Sequence, residues 1–147
     1  MHLGSWKNII YVAVVDDDAS VCRSFSRLLR ATGFQPVTYA SAEALLEDTK
    51  RPQFDCLVLD IQLGGMSGME LRQYLVDVRD LTPVIFITGF DDPEMRAQAL
   101  ASGCAGFFKK TDPAQVVLEC IRHTVGLDPE PATQRRDFII EKRVGPV

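Results

Sequence analysis

Six side chains in this sequence could do chemistry together: the consecutive Asp16, Asp17 and Asp18, the lone Asp60, Thr88 and Lys110. Each stands at or just past the end of a short apolar run. Taken singly, each has an ordinary explanation. An aspartate after a strand is a turn former or helix N-cap, and Asp18 has that reading here. Thr88 is a β-branched residue in a strand, and Lys110 belongs to a lysine pair of the kind usually found on surfaces. Together they mean more. Crowded carboxylates repel one another and need a cation to stay ionised. Two or three carboxylate oxygens, a backbone carbonyl and water make a typical Mg²⁺ site. A lysine and a hydroxyl nearby supply donors for an oxyanion. This is equipment for phosphoryl transfer, in which positioning and charge neutralisation do most of the work. Acids occupy the place where a dinucleotide site would carry GxGxxG, so that site is excluded.

These groups converge only if the elements bearing them are neighbours. The apolar runs are Ile9–Val15, Phe34–Tyr39, Cys56–Leu59, Val84–Thr88 and Ala105–Phe108. The first, third and fourth are apolar on both faces, as strands are when helices cover a sheet on both sides. Helical patterns fill the intervals. Val21, Phe25, Leu28 and Leu29 form one apolar stripe, closed by Gly33. Ser41 opens a short helix with Leu45 and Leu46. Ser67 and Glu70 form a capping box ahead of Leu71, Leu75 and Val78. Asp92-Pro93 and Asp112-Pro113 each read as an N-cap followed by proline in the first turn. Strands alternating with helices imply right-handed βαβ crossovers. The expected fold is therefore α/β: a five-stranded parallel doubly wound sheet, with five helices, over residues 8–127. Ligands in such folds sit at the carboxyl ends of the strands, where all six side chains fall. Residues 128–147 open with Asp-Pro-Glu-Pro and read as a linker or tail; Phe138-Ile139-Ile140 within it could add a short strand.

The whole chain sets further bounds. Its 147 residues suit one domain with a real core. A net charge of −4 argues against general nucleic-acid binding, and no apolar run approaches the roughly 20 residues of a membrane span. Cys22, Cys56, Cys104 and Cys120 form no CxxC pair and read as small buried thiols of a reducing cytoplasm.

The segments VAVVDDD, LVLDIQLGGMSGMEL, VIFITGFDD and GCAGFFKKTD, in this order and spacing, resemble the successive motifs of response-regulator receiver domains. The match runs from Ile9 to Val125, and MSGMEL and FITG are closest in wording to receivers of helix-turn-helix transcriptional regulators. The resemblance implies a flavodoxin-like strand order 2-1-3-4-5. It implies that Asp60 accepts a phosphoryl group from a sensor histidine kinase or phosphotransfer protein in a two-component system. Asp17 and Asp60 would ligate Mg²⁺ directly, Asp16 would hold a metal-bound water and Gln62 would offer its backbone carbonyl. Lys110 and Thr88 would engage the phosphoryl oxygens, and Phe107 stands where the family has its switch aromatic. A homodimer through the fourth helix, fifth strand and fifth helix is a family option. Such a protein is a cytoplasmic switch and not a multiple-turnover enzyme. Two positions depart from the family pattern: Thr111 follows Lys110 where proline is usual, which favours a trans peptide bond, and Gly64-Gly65 should loosen the loop after Asp60.

Two other readings stand beside this one. A haloacid-dehalogenase-like phosphatase also begins with a strand and Asp-x-Asp, which Asp16-Asp17-Asp18 fits, but it would leave Asp60 without a role and the chain without an obvious cap domain. A receiver fold serving only as a docking module is disfavoured by the retained acids and lysine.

Overall fold

The computed structural model describes residues 9–127. Five parallel strands form one sheet in the order β2-β1-β3-β4-β5. They are β1 (Tyr11–Val15), β2 (Gln35–Tyr39), β3 (Cys56–Asp60), β4 (Val84–Thr88) and β5 (Gly106–Lys109). Between and after them run α1 (Ala19–Ala31), α2 (Ala42–Glu47), α3 (Gly68–Asp77), α4 (Pro93–Ala101) and α5 (Ala114–Thr124). The expected fold and strand order are therefore those observed. The tail 128–147, with Phe138-Ile139-Ile140, lies outside the described residues.

Side chains alternate across each strand and divide the core into two layers. On one face Ala13, Val15, Leu57, Leu59, Phe86 and Phe107 pack with Leu45 of α2, Leu71 and Leu75 of α3 and Ala99 of α4. On the other, Val12, Val14, Val58, Ile85, Ile87 and Phe108 pack with Leu29 of α1 and Val117, Leu118 and Ile121 of α5. The central strands β3 and β4 are buried along their full length, which is why their sequences show no polar alternation. Cys56 and Cys120 are buried, Cys22 and Cys104 are half-buried, and none of the four is in a disulfide.

Most caps fall where their residue types place them. Asp18, Ser41 and Asp92 cap α1, α2 and α4, and Ser67 with Glu70 completes both bonds of the capping box on α3. Asp112 does not cap α5. Pro113 occupies the N-cap position, in extended conformation and without a side-chain bond. The Asp112 carboxylate instead accepts the Lys109 N–H at 2.8 Å, closing the turn as the chain leaves β5. Pro113 is itself extended, so the helix starts one residue later than the Asp-Pro pair suggests.

Helix α3 begins directly against the end of β3. The Gly68 N–H donates to Ile61 O at 3.0 Å, and a Cβ on Gly68 would stand 2.3 Å from Asp60 O. Only a residue without a side chain allows this approach. Gly68→Ala is expected to lose about 1–3 kcal/mol of stability, read as a lower urea midpoint, because the atom it meets is backbone and cannot rotate away.

Candidate functional site at the carboxyl edge of the sheet

In a parallel sheet every strand delivers its carboxyl end to the same edge. Adjacent strands β1, β3, β4 and β5 deliver Asp16 and Asp17, Asp60, Thr88, and Lys110 respectively. The register pairs Asp60 with Ile87 and Thr88 with Lys109, so these ends are level. The strand order reverses direction between β1 and β3, and the crevice at such a switch point lies between Asp16 and Asp60.

Asp16, Asp60 and Thr88 are the buried polar residues among those described. Asp16 Oδ1 accepts the Asp18 N–H at 2.8 Å, and Asp60 Oδ1 accepts the Gln62 N–H at 3.0 Å. Lys110 reaches in from the end of β5. Its Nζ lies 2.9 Å from Asp60 Oδ2 and 2.9 Å from Asp16 Oδ2. Burial pushes the Asp60 carboxyl above the usual range and nearby Asp16 adds to the rise, while the Lys110 and Gln62 hydrogen bonds oppose it. Partial burial works against the Lys110 charge, but the two carboxylates outweigh it and hold the ammonium above its ordinary pKa. The Lys110–Thr111 bond is trans, as threonine in place of proline implies. Lys110 meets both acids nonetheless.

Asp17 is exposed at the mouth of the crevice. Carboxylate oxygens of Asp16, Asp17 and Asp60 all lie within 4.8 Å of one another. Three carboxylates against one ammonium leave an excess of negative charge. Asp16 Oδ2 is shielded from solvent and has no aligned hydrogen-bond donor, although Lys110 Nζ stands close by as an ion-pair partner. An all-oxygen cluster with surplus charge and an unsatisfied buried oxygen fits a hard divalent cation. Asp18, by contrast, is a cap: its side chain accepts the Ser20 hydroxyl at 2.7 Å and the Ser20 N–H at 2.9 Å.

Two of the six side chains named from the sequence therefore do something other than face the crevice. Asp18 caps α1, and the Thr88 hydroxyl is turned to its own loop, donating to Phe90 O at 2.9 Å and accepting the Phe90 N–H at 3.1 Å. Gln62 contributes its backbone N–H and leaves its side chain exposed. Phe107 is buried in the layer shared with α4.

Glu43 gave no sign of a role in the sequence. From the first turn of α2 its carboxylate accepts the Met66 N–H at 2.8 Å, tying the Gly64-Gly65 loop to a distant helix. Gly65, at φ 73°, lies so near that a Cβ there would meet Glu43 Oε2 at 2.7 Å. No local signal links positions 23 residues apart, so sequence patterning could not find this tie.

A level parallel sheet in the order 2-1-3-4-5, bearing acids after β1 and β3 and a lysine after β5, defines the receiver class of doubly wound α/β proteins. The sequence profile of the response regulator receiver domain matches residues 12–122. The chain belongs to this family. Response regulator protein TmoT of Ectopseudomonas mendocina is 33% identical over 129 residues, covering 88% of this chain and 58% of TmoT. Among solved structures, FixJ-N is 31% identical with a TM-score of 0.72, covering 83% of this chain and 98% of that one. A receiver protein from Burkholderia phymatum is 36% identical with a TM-score of 0.70, covering 82% and 99%. The chain spans about half the length of the curated relatives it matches. Family membership removes the phosphatase reading of Asp16-Asp17-Asp18. No helix among the described residues is long and apolar enough to cross a membrane.

The Glu43 tie has a pH signature. Hydrogen bonds from Met66 and its own backbone hold the Glu43 carboxyl below the usual range. A depressed folded-state pKa contributes stability above the unfolded value, lost as pH falls through the folded one. Glu43→Gln is expected to lower the urea midpoint at neutral pH, with the gap from the unsubstituted protein closing below about pH 4. A gap that stays constant with pH would show that the charge is not involved.

Proposed function

We propose that Asp60 is the phosphoacceptor of a two-component signalling switch. The observation that carries this reading is a buried carboxylate, at a strand end, held between a second acid and the Lys110 ammonium. An Asp60 oxygen attacks the phosphorus of a phosphohistidine or a small acyl phosphate. The new O–P bond forms as the donor's N–P or O–P bond breaks, and the electron pair leaves with the donor. The product is an aspartyl phosphate.

Asp17 and Asp60 carboxylates, the Gln62 carbonyl and a water held by Asp16 would bind Mg²⁺, which supplies neutralisation of charge on the transferring group when present. Lys110 can leave Asp16 and Asp60 to pair with a phosphoryl oxygen, keeping its charge within the crevice. Thr88 can exchange its Phe90 bond for another phosphoryl oxygen. Phe107, on the next strand, is the reading's candidate for relaying that change to the surface of α4, β5 and α5, the surface through which the reading also has two copies of the chain pair. The phosphodonor is a histidine kinase or phosphotransfer protein. Several relatives are described as transcriptional regulatory proteins, which supports an output in gene regulation through a part of the protein other than residues 8–127. Residues 128–147 serve in this reading as the linker or tail.

Incubation with acetyl phosphate and Mg²⁺, followed by intact-mass measurement, should add one phosphoryl group to the unsubstituted chain and none to Asp60→Ala. A label that persists in Asp60→Ala would overturn the assignment. Asp17→Asn should weaken Mg²⁺ binding by about tenfold or more, measured by calorimetry, with little change in metal-free stability because Asp17 is exposed. Unchanged affinity would remove Asp17 from the site.

A further inference from the structure

The loop between Asp60 and α3 is held at both ends and soft between them. At the near end the Ile61 N–H donates to Ile87 O, the Gln62 N–H donates to Asp60 Oδ1, and the side chains of Ile61 and Leu63 are buried. At the far end the Ser67 capping box and the Gly68 N–H bond to Ile61 O fix the start of α3. Gly64 and Gly65 lie between, exposed and with no side chain to pack. Among the described residues, the only hydrogen bond from the backbone of 63–66 runs from the Met66 N–H to Glu43 Oε2. Glu43 is itself firmly based. Ser41 caps α2, and Ala42 and Leu45, on either side of Glu43, are buried. Gly65 admits the carboxylate because it has no Cβ to meet Oε2. The glycine that softens the loop is thus also the one that lets a distant acid restrain it.

We propose that Glu43 is a positioning residue for the divalent cation: by holding Met66 it sets the course of the loop, and so the tilt of the Gln62 carbonyl. This proposal rests on the reading of the Gln62 carbonyl, Asp17 and Asp60 as protein ligands of Mg²⁺. Burial of Leu63 fixes where that side chain sits, but not the tilt of the peptide before it. That tilt depends on where the chain goes next, and two glycines pass on little restraint by themselves. Mg²⁺ demands near-ideal octahedral geometry, whereas Ca²⁺ accepts flexible arrangements of oxygens. A loosened carbonyl therefore costs Mg²⁺ affinity without removing a ligand. Glu43 is not one of the carboxylates clustered at the crevice, so its influence runs through the loop. No covalent step is involved.

The test is calorimetry with Mg²⁺ and, separately, Ca²⁺, on the unsubstituted chain, Glu43→Gln, Glu43→Ala and the double variant Glu43→Ala with Gly64→Ala. Glu43→Ala should bind Mg²⁺ about fivefold more weakly, less than the tenfold or more typical of a group bonded directly to a metal ligand. Its Ca²⁺ affinity should fall less. Glu43→Gln, whose amide oxygen can still accept the Met66 N–H, should lie between, and it keeps the test readable if Glu43→Ala does not fold. Gly64 is not in a left-handed conformation, and a Cβ there would meet nothing. Gly64→Ala therefore stiffens the loop without a clash and should recover part of the lost affinity. Amide exchange at Gly64, Gly65 and Met66, measured without metal, should quicken in Glu43→Ala and slow again in the double variant. A mere loss of charge would make Glu43→Gln and Glu43→Ala equal and give no rescue. That result, or unchanged Mg²⁺ affinity in Glu43→Ala, would overturn the proposal and leave the site reading standing. No Mg²⁺ binding by the unsubstituted chain would sink the site reading and this proposal with it.

Discussion

Three charged groups meet at the end of the sheet, and the site follows from how they are reconciled. Asp16 and Asp60 are buried like charges in adjoining strands, and each must be neutralised, protonated or hydrogen-bonded to remain there. The Lys110 ammonium touches both carboxylates and satisfies part of this demand. It leaves the site short of positive charge, a shortage that a divalent cation would make up on the reading proposed above. A cation alone would relieve the acids. A phosphoryl group alone would worsen their repulsion. On that reading, Lys110 on one flank and a cation held beside Asp17 on the other would let the acids and a phosphoryl group coexist.

The sheet makes this arrangement possible at small structural expense. Parallel strands in register bring residues far apart in sequence to one level, so Lys110 can bond to Asp16 across 94 positions without a special loop. The surrounding backbone is tied down at the points that matter: Asp16 N–H to Tyr39 O, Ile61 N–H to Ile87 O, and Lys110 N–H to Thr88 O. These bonds continue the sheet pairing one residue past each strand. Asp60 therefore ends a rigid strand and Asp16 sits one residue past another, while beyond β4 the Thr88 hydroxyl and the Asp91 carboxylate make side-chain bonds that can be exchanged.

Much of this was legible in the sequence, for a physical reason. Strands buried on both faces must be continuously apolar, so Cys56–Leu59 and Val84–Thr88 announced themselves. Helix starts at Asp18, Ser41, Ser67 and Asp92 were visible because capping is local chemistry. The acids and lysine could be placed because strand ends converge in any parallel sheet. The failures come from contacts that only the folded chain creates. Asp112 looked like a cap but found the Lys109 N–H, a competitor that exists only once β5 has formed. The reach of Glu43 to Met66 and of Arg96 to Phe107 depends on how helices lie over the sheet. Composition and periodicity do not encode that. The direction of the Thr88 hydroxyl, toward Phe90, was hidden for the same reason.

Strand β5 places Phe107 and Phe108 on opposite faces of the sheet. Phe108 is embedded with α1 and α5, and Phe107 with α2, α3 and α4. The two rings are chemically alike and adjacent, yet they belong to separate packing environments. The period of two therefore makes this short edge strand a partition, one residue of it closing each layer of the core.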